Sequence, residues 1–262
     1  MEKLSPVTLT PRRALDEDLV TIQRYAGKTN EAFTHLLLNV ALGATASGFE
    51  RLLAGERLRL LDPLCGRGTS LNRAALYGMD AGGIEIDHRD VDAYALFFCT
   101  WLKDKRLKHT IERSTLRKRR DEPAHRITFT YGPGKDRTRH REVDVVHDDT
   151  IGARDFFRVR SFDLLVCDLP YGVQHGSRSD AEALERRPDA LLARALPVWA
   201  ELLKPGAAVA LAWNRRTLPR LGLVELVTQA GLVVVAPDDE AFVHRVDRSI
   251  TRDVVVAVRP VG

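Results

Sequence analysis

Two stretches of this 262-residue chain carry residue types suited to chemistry on an amine. The first is Asp168-Leu169-Pro170-Tyr171-Gly172, which ends the apolar run Phe162–Cys167. An exocyclic amine on a base is a poor nucleophile, because its lone pair is delocalised into the ring. A carboxylate and a carbonyl oxygen that accept its two hydrogens localise that pair. Asp168 supplies the carboxylate and Leu169 the carbonyl, while Pro170 forces Leu169 into an extended conformation. Tyr171 offers a ring face for base stacking, worth about 1–3 kcal/mol. Asp168, Leu169, Pro170 and Tyr171 are therefore the expected catalytic group, acting chiefly by positioning the amine. Asp-x-Pro-Tyr is also a common turn, so the stretch needs a companion site.

The companion is Asp62-Pro63-Leu64-Cys65-Gly66-Arg67-Gly68-Thr69. Gly66 and Gly68 let a backbone pass close to a ligand in conformations that other residues resist. A dinucleotide turn wants a third glycine where Leu71 stands, so a pyrophosphate cradle is disfavoured. Asp62 would repel phosphate but suits the ammonium of S-adenosylmethionine. Glu85, at the tip of the next strand, is placed for the ribose hydroxyls, with Asp87 just beyond. Asp149 suits the adenine amino group, with Asp148 as its rival. Asp62, Pro63, Gly66, Gly68, Thr69, Glu85, Asp87, Asp148 and Asp149 thus form the expected cofactor set. Acids at strand tips can also merely solvate loop ends.

These residues need a scaffold that gathers strand tips. Asn30 is a good cap for a helix over 31–40. Strands are expected at 57–62, 81–87, 143–146, 162–167, 207–213, 232–236 and 253–258. Helices are expected at 70–77, 90–102, 179–203 and 218–230. The strands are continuous apolar runs, the mark of strands buried on both faces. The reading is an α/β fold, a doubly wound, seven-stranded, mostly parallel Rossmann-like sheet with an antiparallel last strand. Ligands in such sheets bind beyond the carboxyl ends of the strands. We divide the chain into an N-terminal segment, 1–28, and a catalytic domain, 29–262.

A basic insertion, 103–142, interrupts that domain, and it reads as a hairpin around 126–131. It holds fourteen Lys and Arg against six Asp and Glu, so +8 of a whole-chain net charge of +4. Such a segment on a mildly acidic body is a footprint for phosphate. Arg117, Lys118, Arg119 and Arg120 are its densest run, joined by Arg137, Arg139 and Arg141. A solvated, arginine-rich excursion is the plainer alternative. No run of about eighteen apolar residues exists, and the opening residues do not have the pattern expected of a secretory leader. Cys65, Cys99 and Cys167 lack paired spacing, so a disulfide framework and a metal cluster are unexpected and the cytoplasm is the expected compartment. Cys65 and Cys167 read as small buried residues. His175 and His244 are candidates for lining a pocket, though a lone His is more often structural.

Asp-Pro-Leu-Cys-Gly-Arg-Gly-Thr, Gly-Ile-Glu-Ile-Asp and Asp-Leu-Pro-Tyr-Gly resemble the motifs of class I S-adenosylmethionine-dependent amino methyltransferases acting on nucleic acids. Arg245-Val246-Asp247-Arg248-Ser249-Ile250-Thr251-Arg252 resembles an Arg-Ser-Leu-Thr-Arg signature in the tRNA guanosine methyltransferases that usually carry a THUMP domain. The resemblance spans residue 29 to the end without the insertion. It implies methyl transfer to guanine in RNA, tRNA or rRNA, with Arg248, Ser249 and Arg252 facing the substrate. Asp-Leu-Pro-Tyr stands here for the commoner Asp-Pro-Pro-Tyr. The 28 preceding residues are too few for a THUMP domain, so the basic insertion is the expected RNA grip. A DNA or small-molecule amino methyltransferase, and a nucleic-acid binder on an inactive methyltransferase fold, are the competing readings.

Overall fold

The computed structural model describes residues 13–261 except 26, 117–122, 135, 170–187, 236–241 and 247–249. Helices are α1 Asp18–Thr21, α2 Glu31–Ala44, α3 Gly48–Leu53, α4 Thr69–Leu76, α5 His88–Asp104, α6 Ala153–Phe156, α7 Pro188–Leu202 and α8 Arg220–Gln229. Strands are β1 Arg59–Asp62, β2 Asp80–Glu85, β3 Lys108–Leu116, β4 Ala124–Gly132, β5 Arg141–His147, β6 Phe162–Asp168, β7 Leu203–Asn214, β8 Val233–Val234, β9 His244–Arg245 and β10 Thr251–Val258. They form one sheet in the order β3-β4-β5-β2-β1-β6-β7-β10-β8, with β9 pairing to β10. Strands β5, β2, β1, β6 and β7 run parallel. Strand β10 pairs antiparallel with β7, as expected of a last strand that follows its neighbour without a helix.

The expected seven strands are β5, β2, β1, β6, β7, β10 and β8. The two strands of the hairpin and the short β9 bring the described total to ten. Side chains alternate across a sheet with period two, and the core divides accordingly. Leu60, Leu164, Val166, Ala210, Ala212, Val254 and Val256 pack against α1, α2, α4 and α5. Leu61, Leu165, Cys167, Val209, Leu211 and Val255 pack against α6, α7 and α8. Burial on both faces is what the continuous apolar runs demanded.

The insertion is part of the sheet. Strands β3 and β4 form a nine-residue antiparallel ribbon, and β4 pairs along β5. Ile127, Phe129 and Tyr131 of β4 point into the core beside Phe98 of α5. The N-terminal segment is packed too. Leu19 and Val20 are buried in the main core. Asp18 accepts from Trp101 Nε1 at 2.9 Å and pairs with Lys105 at 2.5 Å. Lys28 Nζ donates to the Val20 and Gln23 carbonyls, both at 2.7 Å. Among the described residues, 18–20 and 28 of the N-terminal segment are thus held against the rest of the domain.

At the amino end of the sheet, Asp163 is fully buried and ties three elements together. It accepts from Arg51 of α3 at 2.8 Å, Lys204 of β7 at 2.9 Å and the Arg59 backbone N–H of β1 at 3.0 Å. Removing it leaves the Arg59 N–H of an interior strand and two cations without their shared acceptor. Asp163→Ala should cost about 3 kcal/mol in urea unfolding. Arg154→Ala, which breaks an exposed pair with Glu201, should cost under about 1 kcal/mol. Similar losses in the two variants would show that Asp163 is no such tie.

Candidate active site

Strand register decides which acids can meet. Asp62 is level with Gly83 of β2, so Glu85 lies two residues further along the same face. Leu61 pairs with Leu165, which sets Asp62 level with Val166 and places Asp168 two residues further, again on that face. Three carboxylates therefore project from the carboxyl ends of adjacent parallel strands toward α2, α4 and α5. A cleft of about 390 Å³ opens there, lined by Asp62, Gly66, Thr69 and Asp168 among the expected residues. Glu85, Asp87, Asp148 and Asp149 lie outside its lining.

Asp62 is buried at the end of β1. It accepts from Leu64 N–H at 3.1 Å and from the Ser70 hydroxyl. Burial pushes its pKa up to about 7 despite these bonds, with Asp168 and Glu85 adding to the rise. Pro63 follows it into the turn. Gly68 adopts φ +75°, and a Cβ there would stand 2.3 Å from the Tyr94 ring, so only glycine fits. Gly66, at φ +50°, has nothing within 4 Å of a Cβ position and faces open space. Thr69 opens α4 and shares a hydrogen bond with Tyr25 Oη at 3.0 Å.

Glu85 accepts from Gly66 N–H at 2.9 Å and Asp87 N–H at 2.8 Å, which locks the glycine turn onto the tip of β2. Burial raises its pKa. Asp87 instead caps α5, accepting from Arg89 N–H at 2.9 Å and pairing with the Arg89 guanidinium at 2.6 Å. The Arg89 contacts hold it down at about 2. Asp148 donates its N–H to the Glu85 carbonyl at 3.1 Å, and its carboxylate accepts from Asp149 N–H at 2.6 Å. Asp149 caps the short 3₁₀ turn Thr150–Gly152 through Ile151 N–H.

Asp168 Oδ2 accepts from Thr29 Oγ1 at 2.9 Å and meets Arg252 Nη2 at 3.4 Å. Arg252 is largely buried, with its guanidinium over the Phe33 ring at 4.5 Å. The expectation that Arg252 faces substrate is thus refined: it holds the carboxylate expected to meet substrate. Leu169 is buried and donates its N–H to the Ala212 carbonyl at 2.8 Å. Pro170, Tyr171, His175, Arg117, Lys118, Arg119, Arg120, Arg248 and Ser249 lie outside the described residues. Of the other insertion arginines, Arg139 is exposed, whereas Arg141 bonds the Gly78 and His140 carbonyls. His244 is exposed and packs on Phe33 with ring centroids 5.3 Å apart. Cys65 and Cys167 are buried, as expected, with both thiols pushed well up by burial.

Sequence reasoning missed Tyr25, Thr29, Ser70 and Asp90, all of which line the cleft. Arg67 lies over the Tyr25 ring at 4.9 Å and bonds Asp90 at 2.8 Å, closing one side. Thr29 and Ser70 flank residues that were singled out, which is the only local signal for them. Among the described residues, no helix is long and apolar enough to cross a membrane. None of the described His, Cys, Asp and Glu side chains are grouped to hold a metal ion.

No family model matches the chain, and no curated protein matches it in sequence. Solved structures do. TrmN from Thermus thermophilus superposes with a TM-score of 0.50 at 16% identity, over 89% of this chain and 50% of that one. The [4+2]-cyclase SpnF superposes at 0.51 and 15% identity, over 91% and 86%. A TehB-like SAM-dependent methyltransferase from Corynebacterium glutamicum gives 0.46 at 15% identity, over 87% and 97%. This chain spans half the length of the TrmN chain. At these identities the likeness to TrmN and SpnF is one of fold, and it matches the Rossmann-like sheet described above.

Proposed function

We propose that this chain transfers a methyl group from S-adenosylmethionine to an exocyclic amine of a nucleobase, with guanine in RNA as the substrate. One observation carries the reading: Asp62 and Asp168 project from one face of adjacent strands into one cleft. The residues present fit the cofactor. Asp62 is a buried carboxylate whose charge is costly alone and favourable beside an ammonium. The open side of Gly66 leaves room where a side chain would stand. Glu85 keeps lone pairs for ribose hydroxyls beyond the two N–H groups it accepts.

When bound, the cofactor supplies an electrophilic methyl group on a sulfonium. The chain's own work is then on the acceptor. Asp168 accepts one amine hydrogen and the Leu169 carbonyl the other, so the nitrogen lone pair is localised and aimed. Thr29 and Arg252 fix the Asp168 carboxylate, and Phe33 supports Arg252. Asp168 also takes up the proton released after transfer. The motif resemblance selects guanine in RNA, tRNA or rRNA, among possible amines, and the +8 insertion supports a polyanion.

Asp62 gives a pH test. Its carboxyl is protonated below about 7 in the free protein. An ammonium partner stabilises the charged form, so binding there expels a proton. Affinity should therefore rise with pH, by up to about tenfold per unit below 7. It should fall again once the ligand's α-amino group deprotonates near about 7.7–8.0. Calorimetry across pH 5.5–8.5 reads this directly, and Asp62→Asn should be weaker and flat below 7. A wild-type profile without that rise removes Asp62 from the ammonium site.

Asp168→Ala should abolish methyl incorporation into RNA while leaving cofactor affinity within about twofold. Retention of a tenth of the activity would correspond to only about 1.4 kcal/mol of transition-state stabilisation, too little for the assigned role. Nucleoside mass spectrometry of the product identifies the amine.

For the insertion, RNA affinity should fall with salt at a log–log slope near 0.7–0.9 per phosphate neutralised. Replacing Arg117, Lys118, Arg119 and Arg120 by Ser should flatten that slope by several units and leave cofactor binding unchanged. Identical slopes would make the segment a solvated excursion and favour a small-molecule amine.

A further inference from the structure

A second cavity, of about 420 Å³, lies between the start of α5 and the hairpin. Strand register again explains what gathers there. His147 is level with Glu85 across β5 and β2, and His125 of β4 pairs directly with His147. Both imidazoles thus stand on the face that carries Asp62, Glu85 and Asp168. Their rings are nearly parallel, at 11°, with centroids 6.4 Å apart. His88, at the first position of α5, presents a third ring, tilted 61° to His147 at 6.1 Å. His147 Nε2 is held by the Ile86 carbonyl at 3.1 Å, which fixes the middle ring.

Val91 and Ile127 give the cavity an apolar floor, and the polar side chains of the lining are of mixed sign. Asp92, one turn along α5 from His88, brings a carboxylate, and Arg113 of β3 brings an exposed guanidinium. Ser114 adds a hydroxyl. Planar rings suit a planar partner, a carboxylate accepts from amino and ring N–H groups of a base, and a guanidinium pairs with a phosphate. A phosphate alone would make poor use of three rings and would be repelled by Asp92. A duplex buries its base faces and could not use the rings either. The three requirements meet in one nucleotide whose base is unpaired.

We propose that this cavity binds an unpaired nucleotide of the nucleic-acid substrate, two or three nucleotides along the strand from the one whose amine enters the cleft, since three inter-strand spacings of about 4.8 Å each separate β5 from β6. The inference rests on the nucleic-acid reading above and adds where the strand runs. His147 and Asp148 are consecutive, and Asp148 is bonded to Glu85, so the cavity adjoins the cofactor end of the cleft along the same sheet edge. The strand accordingly crosses the tips of β5 and β4, and the hairpin serves as its floor.

The test measures binding, independently of turnover. Fluorescence anisotropy would compare a labelled ten-nucleotide single-stranded RNA, the same sequence as a blunt duplex, and guanosine monophosphate as a competitor. Wild type should prefer the single strand to the duplex by at least tenfold. His125→Ala combined with His88→Ala should weaken the single strand by tenfold or more. His125→Phe, which restores a ring face, should recover most of that loss. Asp92→Asn serves as a second, conservative variant and should weaken binding severalfold with an unchanged melting midpoint. Equal single-strand affinity in wild type and the double His variant overturns the subsite while leaving the methyl-transfer reading intact. Absence of any RNA binding by wild type overturns both together. Competition by guanosine monophosphate at the affinity of the oligonucleotide overturns the strand path and makes the cavity a free-nucleotide site.

Discussion

The rest of this structure is arranged around the burial of carboxylates at the ends of parallel strands. A carboxylate taken out of water must find donors, a cation or a proton. Asp62 meets the demand with Ser70, the Leu64 N–H and a raised pKa. Glu85 meets it with two backbone N–H groups, which in turn shape the glycine turn. Asp168 meets it with Thr29 and the guanidinium of Arg252. That last solution reaches across the sheet, because Arg252 lies on β10 and rests on Phe33 of α2. The antiparallel last strand and the first long helix are thereby both part of the site's support.

The same logic explains why the N-terminal segment could not be separated from the domain. Its sequence has no apolar period long enough to register, and α1 is only four residues long. Yet Leu19 and Val20 fill the core, and the chain beyond them carries Tyr25 and Thr29 into the cleft. A short segment pinned by Asp18, Lys28 and their partners is visible only through tertiary contacts. Much of the remainder was legible, because buried parallel strands must be continuously apolar and their tips must hold the ligand groups. Asn30 caps α2 as read, through the N–H groups of Ala32 and Phe33. Asp87, expected in the cofactor set, also caps α5, since an acid before a helix satisfies both patterns. Strand β3, Lys-His-Thr-Ile-Glu-Arg-Ser-Thr-Leu, gave no strand signal, because an edge strand open to solvent needs no apolar face.

Charge counted along a sequence overstates the charge offered to a ligand, and the insertion shows how. Lys105 is spent on Asp16 and Asp18 of the N-terminal segment. Arg126 bonds the Phe156 carbonyl and lies over Phe157, and Arg141 is occupied with backbone carbonyls. These residues explain part of the positive count as structural. Others sit on β3, the outermost strand, where charged side chains discourage a second sheet from pairing with the exposed backbone. That duty is indifferent to sign: glutamates would serve it as well as lysines and arginines. With Lys105, Arg126 and Arg141 set aside, eleven basic residues still stand against six acidic ones, more than edge protection asks for. The nucleic-acid substrate proposed above would account for that excess of one sign, and a neutral small molecule would not.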